Sequence, residues 1–186
     1  MALTLGMSNR FFGKSAGFEF GVACDILSGM NITLIGYRGS GKTSIGKLLA
    51  QKLWRDFVDT DQLIVDHAGM TIREIFAAEG EAGFRQREAA VVAEVAAKEN
   101  QIIAAGGGAV LDPANVASLK RSGKIVWLKA DPKTLHARIQ ADAATNANRP
   151  NLTAVGGIEE VERLLAARPP FVQPGSAPIP LPKRFR

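Results

Sequence analysis

The octapeptide Gly36-Tyr37-Arg38-Gly39-Ser40-Gly41-Lys42-Thr43 constrains this chain more than any other feature. It fits the pattern G-x-x-x-x-G-K-[ST], and its surroundings fit too: the apolar run Ile32-Thr33-Leu34-Ile35 precedes it and a helical stripe follows. Glycines let successive backbone N–H groups converge on phosphate oxygens where a side chain would clash. The start of a helix adds unsatisfied N–H groups and the positive end of a dipole. Lys42 reaches the β- and γ-phosphates of a bound nucleotide, and the Thr43 hydroxyl is placed for Mg²⁺. Gly39, Ser40, Gly41, Lys42, Thr43 and Ser44 are therefore the candidate nucleotide-binding residues.

Past this loop the chain alternates. Thr43 to Trp54 carries Ile45, Leu48, Leu49 and Leu53 as an inward stripe, and Phe57-Val58 is a short second strand. Gln62 to His67 reads as helical, closed by Gly69. Thr71-Ile72-Arg73-Glu74 is a capping box opening a short helix that ends near Gly80, with a longer helix over 81–99. Ile102 to Ala105 is a third strand running into Gly106-Gly107-Gly108, and Lys124 to Leu128 a fourth. Asp112-Pro113 and Asp131-Pro132 each place an N-cap before a proline at the first helical position. A last helix spans 158–168. Trp54 and Trp127 are read as core residues. Strand–helix alternation implies a parallel sheet covered by helices on both faces, an α/β three-layer sandwich.

Composition narrows the function. The 186 residues suit one domain, with 46% hydrophobic and 22% charged residues, and no apolar run is long enough to span a membrane. The net charge of +5 is dispersed rather than gathered into a patch, which favours anionic small molecules over nucleic acid. A single cysteine, Cys24, precludes an internal disulfide and fits a reducing, cytoplasmic setting. His67 and His136 have no partners at metal-ligand spacing, so no zinc site is expected. No N-K-x-D guanine-reading tetrad occurs. A short kinase for a small acceptor is what remains, and a monomer is the expected state.

Five segments in order then carry a specific resemblance: the phosphate loop with Asp59-Thr60-Asp61, Gly83-Phe84-Arg85-Gln86-Arg87-Glu88, Gly106-Gly107-Gly108-Ala109, Arg149-Pro150-Asn151-Leu152 and Ala167-Arg168-Pro169-Pro170. Over about three quarters of its length the chain resembles the shikimate kinase family, P-loop kinases of the shikimate pathway to chorismate and the aromatic amino acids. The resemblance implies that ATP and Mg²⁺ are the cofactors and shikimate the acceptor. It implies that Asp59 with Thr43 holds the metal, and that Asp61 binds acceptor hydroxyls as base or orienter. Arg85, Gly106, Gly107, Gly108 and Arg168 would bind the acceptor, the two arginines through its carboxylate. Arg149 would close from a lid over 142–157 and join Lys42 and Asp61 in catalysis, and Arg138 would lie against the adenine. Taken without the resemblance, Asp59 and Asp61 read first as an exposed loop or a helix N-cap, and Arg85 as a solvated helix-face charge.

The ends depart from the family. Residues 1–29, with four phenylalanines and five glycines and no clear period, read as a poorly ordered extension before a domain over 30–170. From 171 to 186 the chain has prolines at 174, 178, 180 and 182, which forbid a helix or a central strand. The family's fifth strand is therefore expected to be missing, leaving the fourth as an apolar edge. The alternatives are a non-catalytic ATP-binding remnant with a truncated C-terminus, or a kinase for another small hydroxy acid such as gluconate.

Overall fold

The computed structural model describes residues 29–141. The segment before Gly29, the expected lid with Arg149, the expected helix over 158–168 with Arg168 at its end, and the tail over 171–186 lie outside the described residues.

Four strands, β1 (Asn31–Gly36), β2 (Asp56–Asp59), β3 (Gln101–Ala104) and β4 (Gly123–Leu128), form one parallel sheet in the order β2-β3-β1-β4. Successive side chains of a strand point to opposite faces, and the two cores obey this. Ile32, Leu34, Phe57, Ile102, Val126 and Leu128 face one side, while Ile35, Val58, Ile103, Ile125 and Trp127 face the other. The run of apolar residues in β1 is therefore a strand covered on both sides, as the parallel arrangement requires. β2 and β4 are the two edges of the four described strands.

On the first face lies α1 (Lys42–Leu53). It seats on the sheet through Gly46, where a Cβ would strike the Phe57 ring, and through buried Ala50, with Ile45, Leu49 and Leu53 around them. Two expectations fail here. Leu48 is 43% exposed, because contact through Gly46 and Ala50 turns position 48 away from the sheet. Trp54 is 91% exposed rather than core. It is the C-cap of α1 in the left-handed conformation (φ 55, ψ 48), one residue beyond the stripe that faces inward. Trp127, by contrast, packs against the core of the second face.

That second face carries α2 (Thr60–Ala68), α3 (Ile72–Ala96) and α4 (Pro113–Ser122), while α5 (Pro132–Ala141) sits beside the phosphate loop. The predicted boundaries hold for local reasons. Gly69 closes α2 in the left-handed region, and the Thr71–Glu74 capping box opens α3 with both reciprocal bonds formed. Asp112 accepts from Ala114 N–H ahead of Pro113. Inside α3, Gly80 leaves the helical region at φ 70, ψ −174, so the element is two helical arms joined at an elbow.

At the opposite end of the sheet, fully buried Asn31 ties three elements together. Its Nδ2 donates to the Lys98 carbonyl at 2.7 Å, and its Oδ1 accepts from Gln101 N–H at 2.9 Å. Replacing Asn31 with alanine strands the buried Gln101 N–H and the part-buried Lys98 carbonyl, and a buried unsatisfied group costs about 1–3 kcal/mol. Asn31→Ala is expected to lose roughly 3 kcal/mol in urea denaturation at an unchanged m-value. A loss below about 0.5 kcal/mol, the range of neutral surface changes, would contradict this.

Candidate active site

Gly36 ends β1, and the chain turns at once, with Ser40 N–H donating to the Tyr37 carbonyl at 3.1 Å. Gly39 and Gly41 hold φ of 76° and 91°, a region that L side chains rarely adopt. Gly41 is the N-cap of α1 and carries no side-chain cap, so the first-turn amides of Lys42, Thr43 and Ser44 face the loop, the arrangement that suits an anion. The Lys42 ammonium donates to the Gly36 and Tyr37 carbonyls at 2.9 and 3.3 Å, which holds it across the mouth of the loop. Ser40 is only 1% exposed and its Oγ has no hydrogen-bond partner among the described residues, so it serves the loop through its backbone. α5 buttresses the loop from outside. Leu135 packs on Tyr37, and Arg138 Nη1 donates to the Gly39 carbonyl at 3.3 Å.

Beside the loop stands the carboxylate pair. Asp59 ends β2 and is the N-cap of α2, accepting from Asp61 N–H at 3.1 Å through Oδ1. Its other oxygen, Oδ2, accepts from the Thr43 hydroxyl at 2.8 Å. The N-cap expectation is met through Oδ1, and the second oxygen of the same carboxylate is left to face the Thr43 hydroxyl. A hydroxyl and a carboxylate in contact beside a phosphate loop are hard oxygen donors of the kind that would suit Mg²⁺.

The glycine loop after β3 closes the site. Gly106 N–H donates at 2.8 Å to Thr60 Oγ1, which is fully buried. A Cβ on Gly106 would strike Asp61 Oδ1 and press on Glu88 Oε1, and one on Gly108 would strike the Arg85 guanidinium. Asp61, Glu88 and Arg85 therefore all lean on this loop, and only bare backbone leaves room for them.

Arg85 is half-buried. Its Nη1 donates to Glu88 Oε2 at 2.7 Å, its Nη2 and Nε reach Glu81 Oε1 at 3.2 and 3.4 Å, and its guanidinium lies 5.5 Å over the Phe84 ring. Glu88 is 2% exposed. Burial pushes its carboxyl above the ordinary 4.5, the Arg85 hydrogen bond opposes that, and the neighbouring Asp61 and Asp112 charges add to the rise. Arg85 loses solvation as well, but Glu88 and Glu81 outweigh that and hold its proton more tightly than usual.

The structure thus brings together Lys42, Thr43, Asp59, Asp61, Arg85 and Gly106–Gly108 on one rim of the sheet, with Arg138 at the back of the phosphate loop. Arg149 and Arg168 lie outside the described residues. Two members of the site carry no role in the sequence reading, Thr60 and Glu88. Thr60 left no signal beyond its place between two aspartates. Glu88 did leave one: with Phe84, Val91, Val92 and Val95 it falls on the buried stripe of α3, and a carboxylate on such a stripe requires a partner.

The Glu88 environment has a measurable sign. Because the native carboxyl binds its proton more tightly than the unfolded one, its contribution to stability is present below pH 4.5 and is lost as pH rises through the native value. Glu88→Gln removes this loss. The stability difference between variant and wild type, read by denaturation in a pH series upward from about 4, is expected to shift in the variant's favour with rising pH. A difference that does not change with pH would refute it.

The comparisons with known proteins follow the same geometry. The family model for shikimate kinase matches residues 38–177. A shikimate kinase from Symbiobacterium thermophilum is 51% identical over 142 residues, 76% of this chain and 80% of that one. One from Rhodopirellula baltica is 44% identical over 79% of each chain. Among solved structures, a shikimate kinase from Acinetobacter baumannii in complex with shikimate is 35% identical, with a TM-score of 0.69 over 77% of this chain and 78% of that one. A shikimate kinase from Aquifex aeolicus is 31% identical, with a TM-score of 0.62 over 74% of this chain and 78% of that one. Likeness of this degree, matched along most of the length of both partners, makes the chain a member of the shikimate kinase family.

Proposed function

We infer that this protein is an ATP-dependent shikimate kinase, transferring the γ-phosphoryl group of ATP to the 3-hydroxyl of shikimate to give shikimate 3-phosphate and ADP. The observation that carries the reading is the meeting, on one rim, of a lysine-bearing phosphate loop with Asp61 and Arg85 around a bare glycine loop.

Each residue then has a task. Loop amides and the head of α1 hold the nucleotide phosphates, and Lys42 leaves its carbonyl partners to follow the charge onto the transferring group. Thr43 and Asp59 would hold Mg²⁺, which neutralises phosphate charge when bound. Arg85 grips the acceptor carboxylate through its guanidinium fork, with Glu88 and Glu81 fixing its orientation. The backbone of Gly106–Gly108 lets the acceptor ring approach. Asp61, held at the start of α2 beside Gly106, takes or orients the proton of the attacking hydroxyl. Phosphoryl transfer leaves little covalent work for the protein, so positioning and charge stabilisation dominate. Arg149, from a lid over 142–157, and Arg168, as a second carboxylate ligand, complete our proposal. Arg138 stacks against the adenine in it. A cytoplasmic monomer acting on a small molecule, with neither nucleic acid nor membrane as partner, is the setting that goes with this chemistry. No helix of the described residues is long and apolar enough to cross a membrane.

A coupled ADP-release assay on the purified chain tests the reading. ADP formation is expected to require shikimate. Asp61→Asn is expected to lower kcat about 10²–10⁴-fold. Arg85→Leu is expected to raise the shikimate KM roughly tenfold or more while leaving that for ATP within about twofold. Nucleotide binding by folded protein without shikimate-dependent ADP release would instead favour the non-catalytic remnant.

A further inference from the structure

Among the described residues, the elbow of α3 places a backbone conformation reserved for glycine next to the acceptor machinery. Gly80 adopts φ 70, ψ −174, a region open in effect to glycine alone. Nothing crowds its Cα, so the conformation itself is what demands glycine there. The break separates an arm over 72–79 from an arm over 81–96, and two contacts bridge it. On the inner side Phe76 stacks on Phe84, ring centroids 4.7 Å apart at 29°. On the outer side Arg87 grips Glu79 with a two-pronged fork, Nε to Oε2 at 2.8 Å and Nη2 to Oε1 at 2.7 Å.

The fork spans eight residues. In a continuous helix, positions eight apart are separated by about 12 Å of rise, so paired N–H···O bonds in this geometry depend on the chain turning at Gly80. Gly83 contributes from the other arm, since a Cβ there would strike the Glu79 side chain. The fork and the elbow therefore specify each other.

What the elbow fixes is Glu81, the first residue beyond Gly80 and one of the two carboxylates holding Arg85. The other, Glu88, is anchored in the core. Arg85 itself is two residues before Arg87, on the same arm, against Gly108. We propose that Glu79 and Arg87 are positioning residues for the acceptor site: their fork across Gly80 locks the first turn of the 81–96 arm, so that Glu81 holds Arg85 at the glycine loop in the pose that receives a carboxylate. The proposal rests on the assignment of Arg85 to the acceptor carboxylate. It adds that an ion pair not itself in the site sets how tightly that acid binds.

The pair is about one-third exposed at the surface, and surface pairs contribute little to global stability. Loss of the fork therefore separates from loss of the fold. Steady-state kinetics and melting curves on the full chain provide the test, with Glu79→Gln, Arg87→Gln and the exchanged pair E79R/R87E. Each single substitution is expected to raise the shikimate KM about three- to tenfold, leaving the ATP KM within about twofold and Tm within about 2 °C. The exchanged pair is expected to bring the shikimate KM back to within about twofold of wild type. The proposal is overturned if the single variants leave the shikimate KM unchanged, if they raise both KM values together, or if the exchanged pair stays as impaired as the singles. Wild-type protein that turns over shikimate alongside unaffected variants defeats the positioning role alone. Wild-type protein without shikimate-dependent turnover defeats the acceptor assignment and this inference with it.

Discussion

Parallel pairing of β1 with β3 on one side and β4 on the other is the interaction on which the rest depends. The register sets Leu34 against Ala104 and Gly36 against Leu128, while β2 sets Asp59 against Ala104. All strands then end on the same rim, so the phosphate loop, the Asp59–Asp61 segment and the glycine loop emerge side by side. In a parallel sheet the crevice beyond the carboxyl ends of the strands is where ligands collect. The arrangement of the candidate site follows from that rule and from the lengths of three strands.

Polar bonds at the rim convert proximity into fixed geometry. Asp59 links the head of α1 to the head of α2, and Thr60 links α2 to the loop after β3. Glu88 is the most demanding member, since a carboxylate removed from water is tolerated only when paired and hydrogen-bonded. Arg85 meets that need, and Glu88 in turn keeps the guanidinium from wandering over the surface. The pair makes sense as orientation more than as stability: in the proposed function Arg85 receives the acceptor's carboxylate, and two carboxylates of its own chain hold it in advance.

Much of this was legible along the chain because it rests on local rules. The phosphate loop needs glycine at positions with positive φ, the capping box at Thr71–Glu74 is a short-range pattern, and Asp112-Pro113 and Asp131-Pro132 announce helix starts through backbone chemistry. Trp54 and Leu48 were misread because apolar character says that a residue tends inward, not which side of a helix meets the sheet. That choice was made by Gly46, whose missing side chain lets α1 settle on Phe57. The role of Glu88 and the buried tie from Thr60 to Gly106 were missed for a related reason. A polar residue's partner lies on another element, and its number along the chain does not reveal it.

The sequence by itself determined the order of elements, the nucleotide-binding loop and the family to which the chain belongs, since these depend on residue types at fixed short spacings that backbone sterics enforce. Only the tertiary structure decided that Thr43 meets Asp59, that Glu88 lies under Arg85, and that the Gly80 elbow is clamped by Glu79 and Arg87. These are contacts between arms and strands brought together by sheet register and close packing, which act across the fold and leave no period in the chain.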